Sequence, residues 1–173
     1  NITNIADAKN KKPDELTVCL LNRPRHKKII DELKSLNVNL KLISDGDICG
    51  ALLVTDDKYK TDLFLGIGGG PEGVISASAL DAYGCKFQGR FIFDNEQVIK
   101  RAKQMGIKDL KKKYELSEIV KGDSIFCATG ITNTEIVEGI KKGNSKFITE
   151  TLVTHKETSI EIIKSEEPIA WLF

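Results

Sequence analysis

The chain is 173 residues long and weighs 19.2 kDa, with 40% hydrophobic and 29% charged residues, so it can bury a sizeable core and is neither disordered nor fibrous. Its 26 Lys and Arg against 25 Asp and Glu leave a formal charge of +1, which supplies neither a basic footprint for nucleic acid nor a polybasic membrane stripe. No apolar run approaches the about 18 residues of a membrane span and no signal peptide is apparent, so a cytoplasmic location is expected, with no nucleic-acid or membrane partner. The chain starts at Asn1 rather than Met and reads as part of a longer protein.

Residues 1–15 are polar and read as an arm or linker, and residues 16–173 as a single α/β domain. A short apolar run, 17–21, has the character of a buried strand. It ends at Asn22-Arg23-Pro24-Arg25-His26, after which Ile29, Ile30, Leu33 and Leu36 recur at helical spacing. Residues 38–44 alternate like a strand. Asp45-Gly46-Asp47 then turns the chain into a short helix over 48–54. A third strand over 62–67 leads to a glycine-rich turn and a helix of small residues from Pro71 to about Tyr83.

The alternation continues with a strand over 86–93, a helix over 95–105 and a short helix over 116–120. A buried strand follows over 124–128, then a helix over 134–141. Residues 147–154 and 159–164 alternate as a β-hairpin, and Ile169 to Phe173 form an apolar tail. Strands alternating with helices predict an α/β fold with a largely parallel sheet, closed by an antiparallel C-terminal hairpin. Lys111-Lys112-Lys113 reads as a solvated face. Cys19, Cys49, Cys85 and Cys127 show no ligand spacing for zinc and read as small hydrophobes in a reducing compartment.

In an open α/β sheet, ligands bind beyond the carboxyl ends of the strands. In the first such loop, Arg23 and Arg25 flank Pro24, and two guanidiniums on a stiffened turn make a fork for a phosphate; solvated arginines at a helix start are the alternative. His26 reads as structural. In the second loop, Asp45 and Asp47 flank Gly46, as helix caps or as acceptors for sugar hydroxyls or a divalent cation. The third loop, Gly66-Ile67-Gly68-Gly69-Gly70-Pro71-Glu72-Gly73, lets a ligand approach the backbone closely. Gly68, Gly70 and Gly73 also match a dinucleotide fingerprint, with Asp94 21 residues beyond Gly73. Glu72, however, puts negative charge where a pyrophosphate would lie and suits a metal ion that faces a phosphate. The fourth loop, Ala128 to Asn133, reads equally as an anion cradle or a capped helix start.

Taken together, Arg23-Pro24-Arg25-His26, Asp45-Gly46-Asp47, Gly68-Gly69-Gly70-Pro71-Glu72-Gly73-Val74 and Phe126-Cys127-Ala128-Thr129-Gly130 resemble, in order and spacing, the class II fructose-1,6-bisphosphatases. Some members of that family also act on sedoheptulose 1,7-bisphosphate. The resemblance runs from about Leu16 onward and matches only the C-terminal half of the family's protein. It implies the second α/β portion of the lithium-sensitive sugar-phosphatase fold, and hydrolysis of the 1-phosphate of fructose 1,6-bisphosphate in gluconeogenesis. It further implies a divalent metal, Mn²⁺ or Mg²⁺, with Glu72 as one ligand. Arg23, Pro24 and Arg25 would form a substrate loop on the uncleaved phosphate, Asp45, Gly46 and Asp47 the sugar loop, and Gly69 a backbone contact. The implied partners are the sugar bisphosphate, the N-terminal half that holds the other metal ligands and the water-activating residue, and further copies of the protein in a homo-oligomer. Without that half the chain alone is expected to be inactive. The competing expectations are a non-enzymatic sugar-phosphate-binding or regulatory module and, from the fingerprint alone, a nucleotide-binding domain.

Overall fold

Strand β1 (Thr17–Leu21) is buried at four of its five positions because it is flanked on both edges and covered on both faces. In the computed structural model, which describes residues 1–168, it pairs in parallel with β2 (Asn39–Ile43) and, on its other edge, with β3 (Leu63–Phe64). The order is β2-β1-β3, so the chain reverses its winding direction between β1 and β3. The apolar tail expected over 169–173 lies outside the described residues.

Alternate side chains of β1 feed two cores. Val18 and Leu20 pack with Ile2 and Ala6 of α1 (Ile2–Lys9) and with Ile30 and Leu33 of α2 (Lys27–Ser35). Cys19 points the other way. It joins Ala51 and Leu52 of α3 (Asp47–Leu52), Ala79 and Leu80 of α4 (Gly70–Asp81), and Phe126, Ile136, Val137 and Leu152 from the C-terminal layer.

Helix α1 occupies most of the segment expected to be an arm. Ile2 and Ala6 form one buried stripe, and Asn10 ends the helix at φ 52°. Lys9 and Lys11 then both reach Asp62, at 2.9 and 2.8 Å, while the Thr17 N–H donates to its other oxygen at 2.9 Å. These charge-assisted bonds tie the opening helix to the sheet.

After α4, β4 (Gln88–Gly89) pairs with β5 (Tyr114–Glu115), which is all that forms of the strand expected over 86–93. Helix α5 (Glu96–Gln104) is capped by Asn95, whose side chain accepts the Val98 N–H, and α6 (Leu116–Ile119) follows β5. The last layer is antiparallel: β6 (Ile125–Thr129) and β7 (Lys141–Lys142) pair with one edge of β8 (Lys146–His155), and β9 (Ser159–Pro168) with the other. The expected hairpin is β8 and β9, lengthened. The expected helix over 134–141 does not form. The Thr134 hydroxyl accepts the amides of Ile136 and Val137, Glu150 takes that of Glu138 and Asn133 that of Gly139, so side chains capture the donors a helix needs.

Candidate functional site

The loops after β1, β2 and β3 leave the same carboxyl edge of the parallel sheet, and the crevice between β1 and β3 lies where the winding reverses. In the first loop Arg23 is extended and Pro24 starts a single 3₁₀ turn, Pro24–His26. That turn sends Arg25 outward to solvent and His26 inward, where its ring is fully buried.

Both side chains converge on one residue of the third loop. Arg25 Nε donates to the Ile67 carbonyl at 2.5 Å. The Ile67 N–H donates to His26 Nε2 at 2.8 Å. Nε2 must therefore be unprotonated and Nδ1 must carry the hydrogen, which it gives to the Leu21 carbonyl at 2.8 Å.

The second loop completes the arrangement. Gly46 takes φ 80°, and Asp45 and Asp47 accept the following amides, Gly46 N–H at 2.9 Å and Ile48 N–H at 3.0 Å. Asp45 lies 3.9 Å from Arg23, a long exposed contact worth little by itself. Asp47 faces the third loop, since a Cβ built on Gly68 would lie 3.6 Å from its carboxylate. Helix α4 begins after Gly69 with Pro71 and Glu72 in its first turn. The Glu72 side chain is exposed and folds back until its carboxylate occupies the space of a Gly69 Cβ. Arg23, Pro24, Arg25, Asp45, Gly46, Asp47, Gly69 and Glu72 are thus gathered at one edge, with cationic and anionic groups side by side.

A hard divalent cation takes about six oxygen ligands. Glu72 offers one donor of the right kind, but among the described residues no group of three His, Cys, Asp or Glu could hold a metal. By themselves these side chains do not make a cation site. Thiol chemistry has no candidate in the core: burial pushes Cys19 up to about 11 and raises Cys49 and Cys85 above the ordinary thiol range. The dinucleotide reading loses its second element, because Asp94 lies five residues past the two-residue β4 rather than at the end of a strand. The fourth loop starts no helix, and its Gly130 N–H is spent on the Glu150 carbonyl at 2.9 Å.

Sequence reasoning took His26 as structural and missed its bond to Ile67. The partner is a backbone amide 41 residues away, which leaves no trace in residue identity.

The family model described as bacterial fructose-1,6-bisphosphatase, glpX-encoded, matches residues 1–167. Among curated relatives, the protein named D-fructose 1,6-bisphosphatase class 2/sedoheptulose 1,7-bisphosphatase from Trichodesmium erythraeum is 34% identical, covering 91% of this chain and 50% of its own. The protein of the same name from Synechocystis is 34% identical over 92% of this chain and 50% of its own. That from Synechococcus elongatus is 35% identical over 91% and 50%. The chain spans about half the length of these relatives.

Proposed function

As the chain belongs to the bacterial fructose-1,6-bisphosphatase family, we propose that it is the substrate-gripping part of a metal-dependent sugar-bisphosphate phosphatase. The reaction is hydrolysis of the 1-phosphate of fructose 1,6-bisphosphate, giving fructose 6-phosphate and inorganic phosphate. The observation that carries this reading is that consecutive residues of the arginine loop, Arg25 and His26, both bond to Ile67 of the glutamate-bearing loop. The loop that carries the arginines and the loop that carries Glu72 are thereby tied to one another.

The roles follow from the groups available. Arg25 spends Nε on Ile67 and, among the described residues, its terminal nitrogens take no other partner, so they can fork onto the uncleaved phosphate, beside Arg23. Pro24 stiffens that turn. Asp45 and Asp47 accept from sugar hydroxyls with their remaining lone pairs, on a turn that Gly46 makes possible. Gly69 exposes its backbone to the substrate, and Glu72 supplies one ligand to Mn²⁺ or Mg²⁺. Such a cation, held in part by Glu72, would supply positive charge to offset the charge of the phosphoryl oxygens. The other ligands and the group that orients the attacking water come from the remaining half of the enzyme, which works in the cytoplasm as a homo-oligomer.

The test is phosphate release from fructose 1,6-bisphosphate by the full-length protein with Mn²⁺, beside the 173-residue chain alone. The expected result is fructose 6-phosphate from the former and no turnover from the latter. Tight sugar-phosphate binding by the full-length protein without turnover would replace this reading by a binding module.

A further inference from the structure

We infer that His26 is a positioning residue that sets the spacing between the phosphate-gripping arginines and Glu72, an inference that rests on the function proposed above. The ladder between β1 and β3 sets the spacing of the two strands. Parallel strands exchange evenly spaced hydrogen bonds, two residues apart on each strand. The Leu65 N–H donates to the Cys19 carbonyl at 3.0 Å. The next rung would join the Ile67 N–H to the Leu21 carbonyl.

That rung is absent in its direct form, and the imidazole of His26 stands in it. Nδ1–H donates to the Leu21 carbonyl and Nε2 accepts from the Ile67 N–H, each at 2.8 Å. The ring thus satisfies both backbone groups while holding the two strands a ring's width further apart than a direct bond would. It does so at the carboxyl ends of β1 and β3, where the winding reverses and the crevice opens. Full burial leaves the ring no freedom to swing out. The residue before it, Arg25, holds the carbonyl of the same Ile67. Both hydrogen-bonding groups of Ile67 are therefore fixed by consecutive residues of the arginine loop, and Ile67 lies five residues before Glu72.

The ring serves both sides of this rung, donating from Nδ1 and accepting at Nε2, and it is the acceptor at Nε2 that reaches the third loop. Glutamine reaches as far as Nε2 and can accept from Ile67. Asparagine reaches only as far as Nδ1 and can serve Leu21 alone. The two substitutions therefore separate positioning from simple filling of the core.

The experiment compares His26→Gln and His26→Asn in the full-length protein, through kcat and KM for fructose 1,6-bisphosphate and through Mn²⁺ affinity by electron paramagnetic resonance. His26→Gln should stay within about threefold of wild type in each, and His26→Asn should weaken metal affinity and lower kcat by about 10- to 100-fold. Equal behaviour of the two variants would overturn the inference. Arg25→Ala and Glu72→Gln run beside them: if these too leave the constants unchanged, the proposed function itself has failed. If neither His26 variant folds, nitrogen NMR of the wild-type ring decides. A hydrogen on Nδ1 with a slowly exchanging Ile67 amide supports the positioning role, and a hydrogen on Nε2 or a fast-exchanging Ile67 amide overturns it.

Discussion

A Cβ on Gly69 would overlap the carboxylate of Glu72, so glycine at 69 is what allows Glu72 to fold back over the start of α4. The backbone at 69, φ −70° and ψ 156°, is open to any residue, and the conflict is purely one of side chains. Gly69→Ala should therefore keep the fold, within about 1 kcal/mol by urea denaturation. It should displace Glu72 and raise the Mn²⁺ concentration for half-maximal phosphatase activity by about tenfold or more. An unchanged metal requirement would show that the Glu72 position is immaterial.

Arg25→Ala removes a charge-assisted phosphate contact as well as the bond to Ile67. The expected loss in kcat/KM is about 1.5–3 kcal/mol, or roughly 10- to 150-fold, expressed mainly in KM. Steady-state kinetics with fructose 1,6-bisphosphate check this. A change within about twofold would remove Arg25 from the phosphate site.

Asp62 gives the fold a pH dependence. Burial pushes its carboxyl upward, but Lys11, Lys9 and the Thr17 amide outweigh that and hold it at about 2. A pKa below the unfolded value contributes stability that is complete above about pH 4–5 and fades as pH falls toward 2. With lysine partners that are partly exposed, the contribution is about 1–2 kcal/mol. Asp62→Asn should lose that amount at pH 7 and show a flatter decline between pH 5 and pH 2.5 in urea melts. A decline as steep as wild type would place the acid sensitivity elsewhere.

Gly50 lies inside α3, where a Cβ would come within 2.7 Å of Ile43 and 2.8 Å of Phe64. Alanine is the better helix former by about 1 kcal/mol, so helix propensity alone predicts stabilisation. Overpacking against β2 and β3 costs about 1–3 kcal/mol and should win, leaving Gly50→Ala less stable in a denaturant titration. A more stable variant would mean that α3 can move away from the sheet.

The three parallel strands and the loops at their carboxyl ends were legible because β1 is a continuous apolar run and because glycine, proline and charged residues mark the turns between elements. The eight candidate site residues lie on those turns or in the first turn of the helix that follows, and the same edge of the sheet gathers them. What the sequence concealed was set by partners distant along the chain. Residues 2–9 look polar until Ile2 and Ala6 find the outer face of β1 and the lysines find Asp62. Residues 134–141 carry a helical pattern, yet Thr134, Asn133 and Glu150 take the amides first. His26 reads as one more core side chain until Leu21 and Ile67 lie on either side of its ring.

The most direct test of the account is a Mn²⁺ titration of phosphate release from fructose 1,6-bisphosphate, comparing the full-length protein with its Glu72→Gln variant. An amide binds a hard cation far less well than a carboxylate, and an exposed first-turn side chain contributes little to packing. The account predicts a folded variant with most activity lost at low Mn²⁺ and part of it regained as the metal concentration rises. Normal activity of Glu72→Gln at low Mn²⁺ would contradict it.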